Sequence, residues 1–101
     1  MEYDEFRLNA TSLDGNAAAG TLEEIFNFEM TMAVAACGGC GSEGPLGAAM
    51  LHAHGMGMVL RCSGCDHALM RIARIRGAYH LDLSGMSRLV IGTGAYRRHL
   101  A

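Results

Sequence analysis

The chain has 101 residues, a formal net charge of −2 and 50% apolar residues, with three Phe, three Tyr and no Trp. That leaves room for one domain and little more, and a core rich in Ala and Met gains little buried area per side chain. The near-neutral balance argues against a dedicated nucleic-acid binder, and the longest apolar runs are far too short to cross a bilayer as a helix.

Charge is unevenly distributed. Residues 1–59 carry one Arg against eight acids, and residues 60–101 carry seven Arg against Asp66 and Asp82. The acidic opening, Met1-Glu2-Tyr3-Asp4-Glu5-Phe6, has neither the basic nor the apolar region of a secretory signal. A cytoplasmic protein with reduced thiols is therefore expected.

Residues 1–10 show no period and are expected to form a flexible arm. Thr11-Ser12-Leu13-Asp14-Gly15-Asn16 is dense in turn and cap residues, and Asp14 is the expected N-cap of a helix over 17–26. Ala18, Leu22, Ile25 and Phe26 make its apolar stripe. Such a stripe serves a core or a homodimer equally well. Glu23, Glu24 and Glu29, with Asp14, read as solvated charges rather than paired catalytic carboxylates. Gly20 weakens the helix by about 1 kcal/mol relative to Ala.

A short strand is expected over 31–36. Residues 45–54 fit a helical stripe (Leu46, Ala49, Met50, Ala53) or a strand face (Leu46, Ala48, Met50, His52, His54). Strand is preferred, because the chain must return to bring its cysteines together. Gly55-Met56-Gly57 supplies the turn and Met58–Arg61 the returning strand. A hairpin turning near Gly77 is expected over 68–76 and 78–83, then a last strand over 88–91 and a flexible basic tail over 92–101. Residues 11–91 are thus expected to form one helix-plus-ribbon domain.

The only four cysteines form two pairs, Cys37-Gly38-Gly39-Cys40 and Cys62-Ser63-Gly64-Cys65. Two intervening residues let one tight turn aim both sulfurs at a single ion, while N–H groups of that turn offset thiolate charge. The residue after each second cysteine, Gly41 or Asp66, tolerates positive φ. Twenty-one residues separate the pairs, slightly beyond the usual range of roughly 15–20. One structural Zn2+ held by Cys37, Cys40, Cys62 and Cys65 is preferred over unligated thiols, a redox dithiol or iron. Four sulfur ligands leave no position for substrate, so no enzyme is expected.

With these pairs, Leu13-Asp14-Gly15-Asn16-Ala17-Ala18-Ala19-Gly20, the Gly-x-Glu-Gly-Pro-Leu run ending at Leu46, Leu60-Arg61 and Leu81-Asp82-Leu83-Ser84-Gly85 resemble a family of small bacterial zinc-ribbon-like proteins of unknown function. The resemblance covers roughly residues 13–91. It implies an α+β fold, an N-terminal helix packed on a small antiparallel rubredoxin-like zinc ribbon, with the same four ligands and no assigned activity.

Two other clusters invite a function. Met50, His52, His54, Met56 and Met58 alternate, and on one strand they would share a face suited to Cu(I). A hairpin tip interrupted by Gly55 and Gly57 is the preferred reading. Arg71, Arg74 and Arg76 offer phosphate contacts, but aromatic platforms are few. His67 reads as a surface residue or a support to the sulfurs. The expected function is a zinc-ribbon binding or adaptor module whose partner is protein rather than nucleic acid. The alternatives are a thiol- or zinc-based redox or metal sensor and a nucleic-acid-binding ribbon. A homodimer is possible, and no membrane association is expected.

Overall fold

The computed structural model describes residues 13–55 and 57–92. The arm expected at 1–10 lies outside those residues, as does the expected tail beyond Gly92. Within them the fold mixes one short helix with antiparallel sheet, and no helix is long and apolar enough to cross a membrane.

The opening is a bridge rather than a cap alone. Strand β1 (Leu13–Asp14) pairs with β4 (Met50–His54), Leu13 opposite Leu51. Asp14 then caps a 3-10 turn, Gly15–Ala18, its Oδ1 accepting from the Asn16 N–H at 3.2 Å. The expected helix over 17–26 is therefore a 3-10 turn followed by α1 (Ala19–Phe26). It ends where Asn27 turns left-handed at φ 60°. Its stripe behaves as expected: Ala18 and Leu22 are fully buried, and Ile25 and Phe26 pack against the core. The stripe is thus occupied within the chain.

Two expected strands begin elsewhere. Residues 31–36 divide into a 3-10 turn, Met30–Met32, and β2 (Val34–Cys37). Residues 45–54 are not one strand. β3 (Glu43–Pro45) pairs back on β2, and a 3-10 turn, Leu46–Ala48, carries the chain to β4. The β2–β3 ladder runs on through Leu46, whose N–H donates to the Ala33 carbonyl at 2.9 Å, and Pro45 sits opposite Val34 at an edge position where no N–H is needed. The rest follows the expected order: β5 (Gly57–Arg61), β6 (Ala68–Ile75), β7 (Ala78–Asp82) and β8 (Met86–Val90). The β6–β7 turn uses positive φ at Arg76 and Gly77 (54° and 78°).

The strands form two sheets where the sequence suggests one ribbon. The larger has order β1-β4-β5-β6-β7, the smaller β3-β2-β8, and all pairs are antiparallel. Leu22, Met30, Leu46, Leu60 and Met70 are the largest fully buried side chains. Cys37 and Cys62 belong to the same buried cluster.

Two glycines permit close backbone approaches. A Cβ on Gly15 would lie 1.8 Å from the Leu46 carbonyl oxygen, and one on Gly85 would lie 1.7 Å from that of Ala68. No L side chain fits either place. These contacts give a physical reason for the glycines in Leu-Asp-Gly-Asn and Leu-Asp-Leu-Ser-Gly. The helix is tied to the larger sheet by Tyr79, whose hydroxyl donates to Glu24 Oε1 at 2.6 Å.

Leu60→Ala is expected to destabilise the fold by about 2–5 kcal/mol in urea unfolding, whereas His80→Ala at an exposed site should stay within about 0.5 kcal/mol. Equal effects would contradict the assigned core. Tyr79 holds its proton above the usual phenol value of 10.0, through its hydrogen bond to Glu24, partial burial and the Glu24 charge, with Arg74 opposing. Because the folded value is the higher one, this stabilisation is complete below the unfolded phenol value and is lost as pH rises through the folded value. Tyrosine-ring NMR should show the Tyr79 midpoint falling in Glu24→Gln; an unchanged midpoint would remove the tie.

Candidate metal centre

Each sheet supplies one cysteine pair. Cys37 ends β2 and Cys40 follows in the loop to β3; Cys62 and Cys65 lie in the loop between β5 and β6. The two loops share one hydrogen-bond scheme. Gly41 N–H donates to the Cys37 carbonyl at 2.9 Å, and Asp66 N–H to that of Cys62 at 2.8 Å. Ser42 and His67 carbonyls accept from the Cys37 and Cys62 N–H groups at 2.9 and 2.8 Å. Gly41 and Asp66 both adopt positive φ, 80° and 69°, as their residue types suggest.

Inside each turn, backbone N–H groups face a sulfur. Gly39 and Cys40 donate to Cys37 Sγ at 3.3 and 3.5 Å, and Gly64 donates to Cys62 Sγ at 3.3 Å. These are the contacts a metal-bound thiolate requires.

The four thiols are free, and their sulfurs all lie within 4.8 Å of one another. Across the two loops, Cys37 Sγ is 3.7 Å from Cys65 Sγ, and Cys40 Sγ is 3.8 Å from Cys62 Sγ. A tetrahedron with metal–sulfur arms of roughly 2.3 Å has edges of about 3.8 Å, whereas a disulfide requires about 2.05 Å. The four cysteines are therefore placed to hold a metal ion. The site is half inside the protein: Cys37 and Cys62 are buried, and Cys40 and Cys65 are exposed.

Without an ion the thiols titrate unequally. The Ser42 hydroxyl, then the N–H groups of Cys65 and Gly64, pull Cys62 down to about 6. Ser42 likewise lowers Cys40, by its hydroxyl first and then its N–H. The His67 N–H pulls Cys65 down, but burial and its contacts with Cys40, Cys37 and Cys62 outweigh this and push it up to about 12. An incoming metal ion must displace such a retained proton, so affinity weakens as pH falls.

Two neighbours cross from one loop to the other. The Ser42 hydroxyl lies 3.1 Å from Cys40 Sγ and 3.6 Å from Cys62 Sγ. The His67 ring packs on the first loop, where a Cβ on Gly39 would come within 3.0 Å of its Cγ. His67 thus supports the site's shape. Ser42 was not visible to motif spacing, since a serine two places after a cysteine has no distinctive pattern. Gly38 N–H donates to the Gly85 carbonyl at 2.9 Å and fixes the first loop to the β7–β8 turn.

The other sequence clusters do not assemble as one site. Met58 pairs with Ala53, while His52 pairs with Val59 and His54 with Gly57. Met58 therefore occupies the opposite sheet face from Met50, His52 and His54; Met56 lies outside the described residues. His52 Nε2 is buried without a hydrogen-bond partner. Arg71 and Arg74 also face opposite ways, by strand alternation. Arg74 lies over Tyr79 at 5.6 Å from the ring centroid, and Arg76 lies beyond the end of β6. A cavity of about 450 Å³ beside the second loop is lined by Arg61, Arg71, Asp66, Asp82, His67 and Ser84. Its formal charges balance, and Arg61 Nη1 donates to the Asp66 carbonyl at 3.0 Å. Asp14, Glu24 and Glu29 are likewise committed, to the 3-10 cap, Tyr79 and the Thr31 hydroxyl respectively.

Serine substitution should separate the two kinds of cysteine. Cys62→Ser is expected to lower metal affinity at least about 100-fold and to destabilise the metal-free chain as well. Cys40→Ser should lower affinity without the second effect. Competition titration and unfolding of both forms would test this; undiminished affinity in either variant would remove that sulfur from the site.

Comparison with curated proteins found no match, and none was found among solved structures. One family model matches residues 9–94. With that match covering most of its length, the chain belongs to DUF6510, a family of unknown function.

Proposed function

We propose that the chain is a non-catalytic zinc-ribbon module that recognises a macromolecular partner. One structural Zn2+ is bound by Cys37, Cys40, Cys62 and Cys65. The observation behind this reading is the near-tetrahedral spacing of four sulfurs carried by two loops with matching hydrogen bonds. Zinc suits an all-sulfur site, and two cysteine loops at hairpin ends support the reading of a rubredoxin-like ribbon. Four protein ligands would fill a tetrahedral ion's shell and leave no place for an activated water, which supports binding over catalysis.

A protein partner is favoured over nucleic acid. Arg74 and Arg76 line one cavity but Arg71 lines another, and that cavity, beside Arg61 and Arg71, has no excess positive charge. The chain is read as cytoplasmic, because reduced thiols are needed to hold the ion.

The exposure of Cys40 and Cys65 favours a second reading, a thiol-based sensor. Peroxide would take two electrons from two thiolates, forming one disulfide and water and releasing zinc.

Native mass spectrometry of protein purified under reducing conditions, without added metal, is expected to show one zinc and four free thiols per chain. A chain carrying iron, or none of either metal, would overturn the zinc assignment. Fluorescence anisotropy with single- and double-stranded oligonucleotides at low salt is expected to show no binding; clear salt-dependent binding would reverse the choice of partner. Rapid zinc release with loss of structure at substoichiometric peroxide would favour the sensor.

A further inference from the structure

The two loops are nearly equivalent in backbone but not around their exposed sulfurs. Cys40 and Cys65 occupy corresponding positions, and both are exposed. Each has a backbone N–H partner two residues on, from Ser42 and His67 respectively. Ser42 and His67 also correspond, since their carbonyls accept from Cys37 and Cys62. The side chains break the equivalence. Ser42 places its hydroxyl 3.1 Å from Cys40 Sγ and 3.6 Å from Cys62 Sγ. His67 instead lays its ring against Gly39.

Once a metal has removed the thiol protons, the sulfurs can only accept, so the serine hydroxyl must be the donor. It has one hydrogen and serves one sulfur at a time, and Cys40 is the nearer. A thiolate that accepts a hydrogen bond presents a less available lone pair to an electrophile.

Building on the metal-site reading, we infer that Ser42 is a positioning residue that shields the Cys40 thiolate and leaves Cys65 as the reactive sulfur of the loaded site. Attack by electrophiles, and the metal loss that follows, then begin at the second loop. Ser42 itself is held by its carbonyl's hydrogen bond to the Cys37 N–H. Removing its hydroxyl leaves that contact in place.

The test is site mapping on the zinc-loaded full chain after limited iodoacetamide. The thiolate sulfur attacks the iodomethylene carbon, a C–S bond forms, the C–I bond breaks, and iodide leaves. Peptide mass spectrometry should find Cys65 modified ahead of Cys40 by about fivefold, the factor expected from one net hydrogen bond of about 1 kcal/mol. Ser42→Ala should bring the two rates together with zinc stoichiometry unchanged, and Ser42→Thr, which keeps the hydroxyl, should restore the difference. Equal rates in the unmodified sequence, or a ratio untouched by Ser42→Ala, would overturn the inference while leaving the zinc site intact. A chain that retains no zinc would overturn the metal-site reading and this inference with it.

Discussion

Four sulfurs must meet within a few ångströms, and they come from loops belonging to two different sheets. The rest of the structure is arranged to satisfy that constraint. β2 brings Cys37 to the end of the small sheet, and β5 brings Cys62 to the end of the large one. Backbone N–H groups converge on the two buried sulfurs, so charge gathered there is stabilised without basic side chains. Glycine at 85 lets the β7–β8 turn lie against β6 while its carbonyl holds the first loop. An ion at this point would join the two sheets where few large side chains are available to do so.

The rest of the core explains why such a joint is useful. Among the described residues, the fully buried large side chains are leucines and methionines, and much of the remaining cluster is alanine. Small side chains bury little area, and Met adapts to gaps without fixing one arrangement. The helix contributes chiefly through Leu22, with a polar tie from Glu24 to Tyr79. The Arg88–Glu43 ion pair between β8 and β3 is solvent-exposed and adds little. A metal ion bound by the four sulfurs would supply free energy that this core otherwise lacks.

Several features were legible in the sequence because their causes are local. The cysteine spacing pointed to the clustered thiols, Gly41 and Asp66 to the left-handed positions, and Ala18 and Leu22 to the buried helix stripe. The turn near Gly77 was equally clear. What stayed hidden depends on contacts distant in sequence. Glu43–Pro45 pairs with β2, a partner strand that is not apparent from its own segment, so residues 45–54 read as one strand. Division into two sheets reflects pairing between β2 and β8, some fifty residues apart. The alternating Met and His residues looked like one face until the hairpin placed Met58 on the other. Gly15 and Gly85 stood within recognisable motifs, but only the carbonyls of Leu46 and Ala68 explain why a side chain cannot replace them.

A metal ion held by the four sulfurs would keep the two sheets together. Backbone amide exchange before and after chelation, under reducing conditions, tests it most directly. Removing the ion is expected to abolish protection in β2 and β8, and restoring zinc to recover it. Unchanged protection throughout β2 after complete metal removal would show that the sheets hold together without the ion.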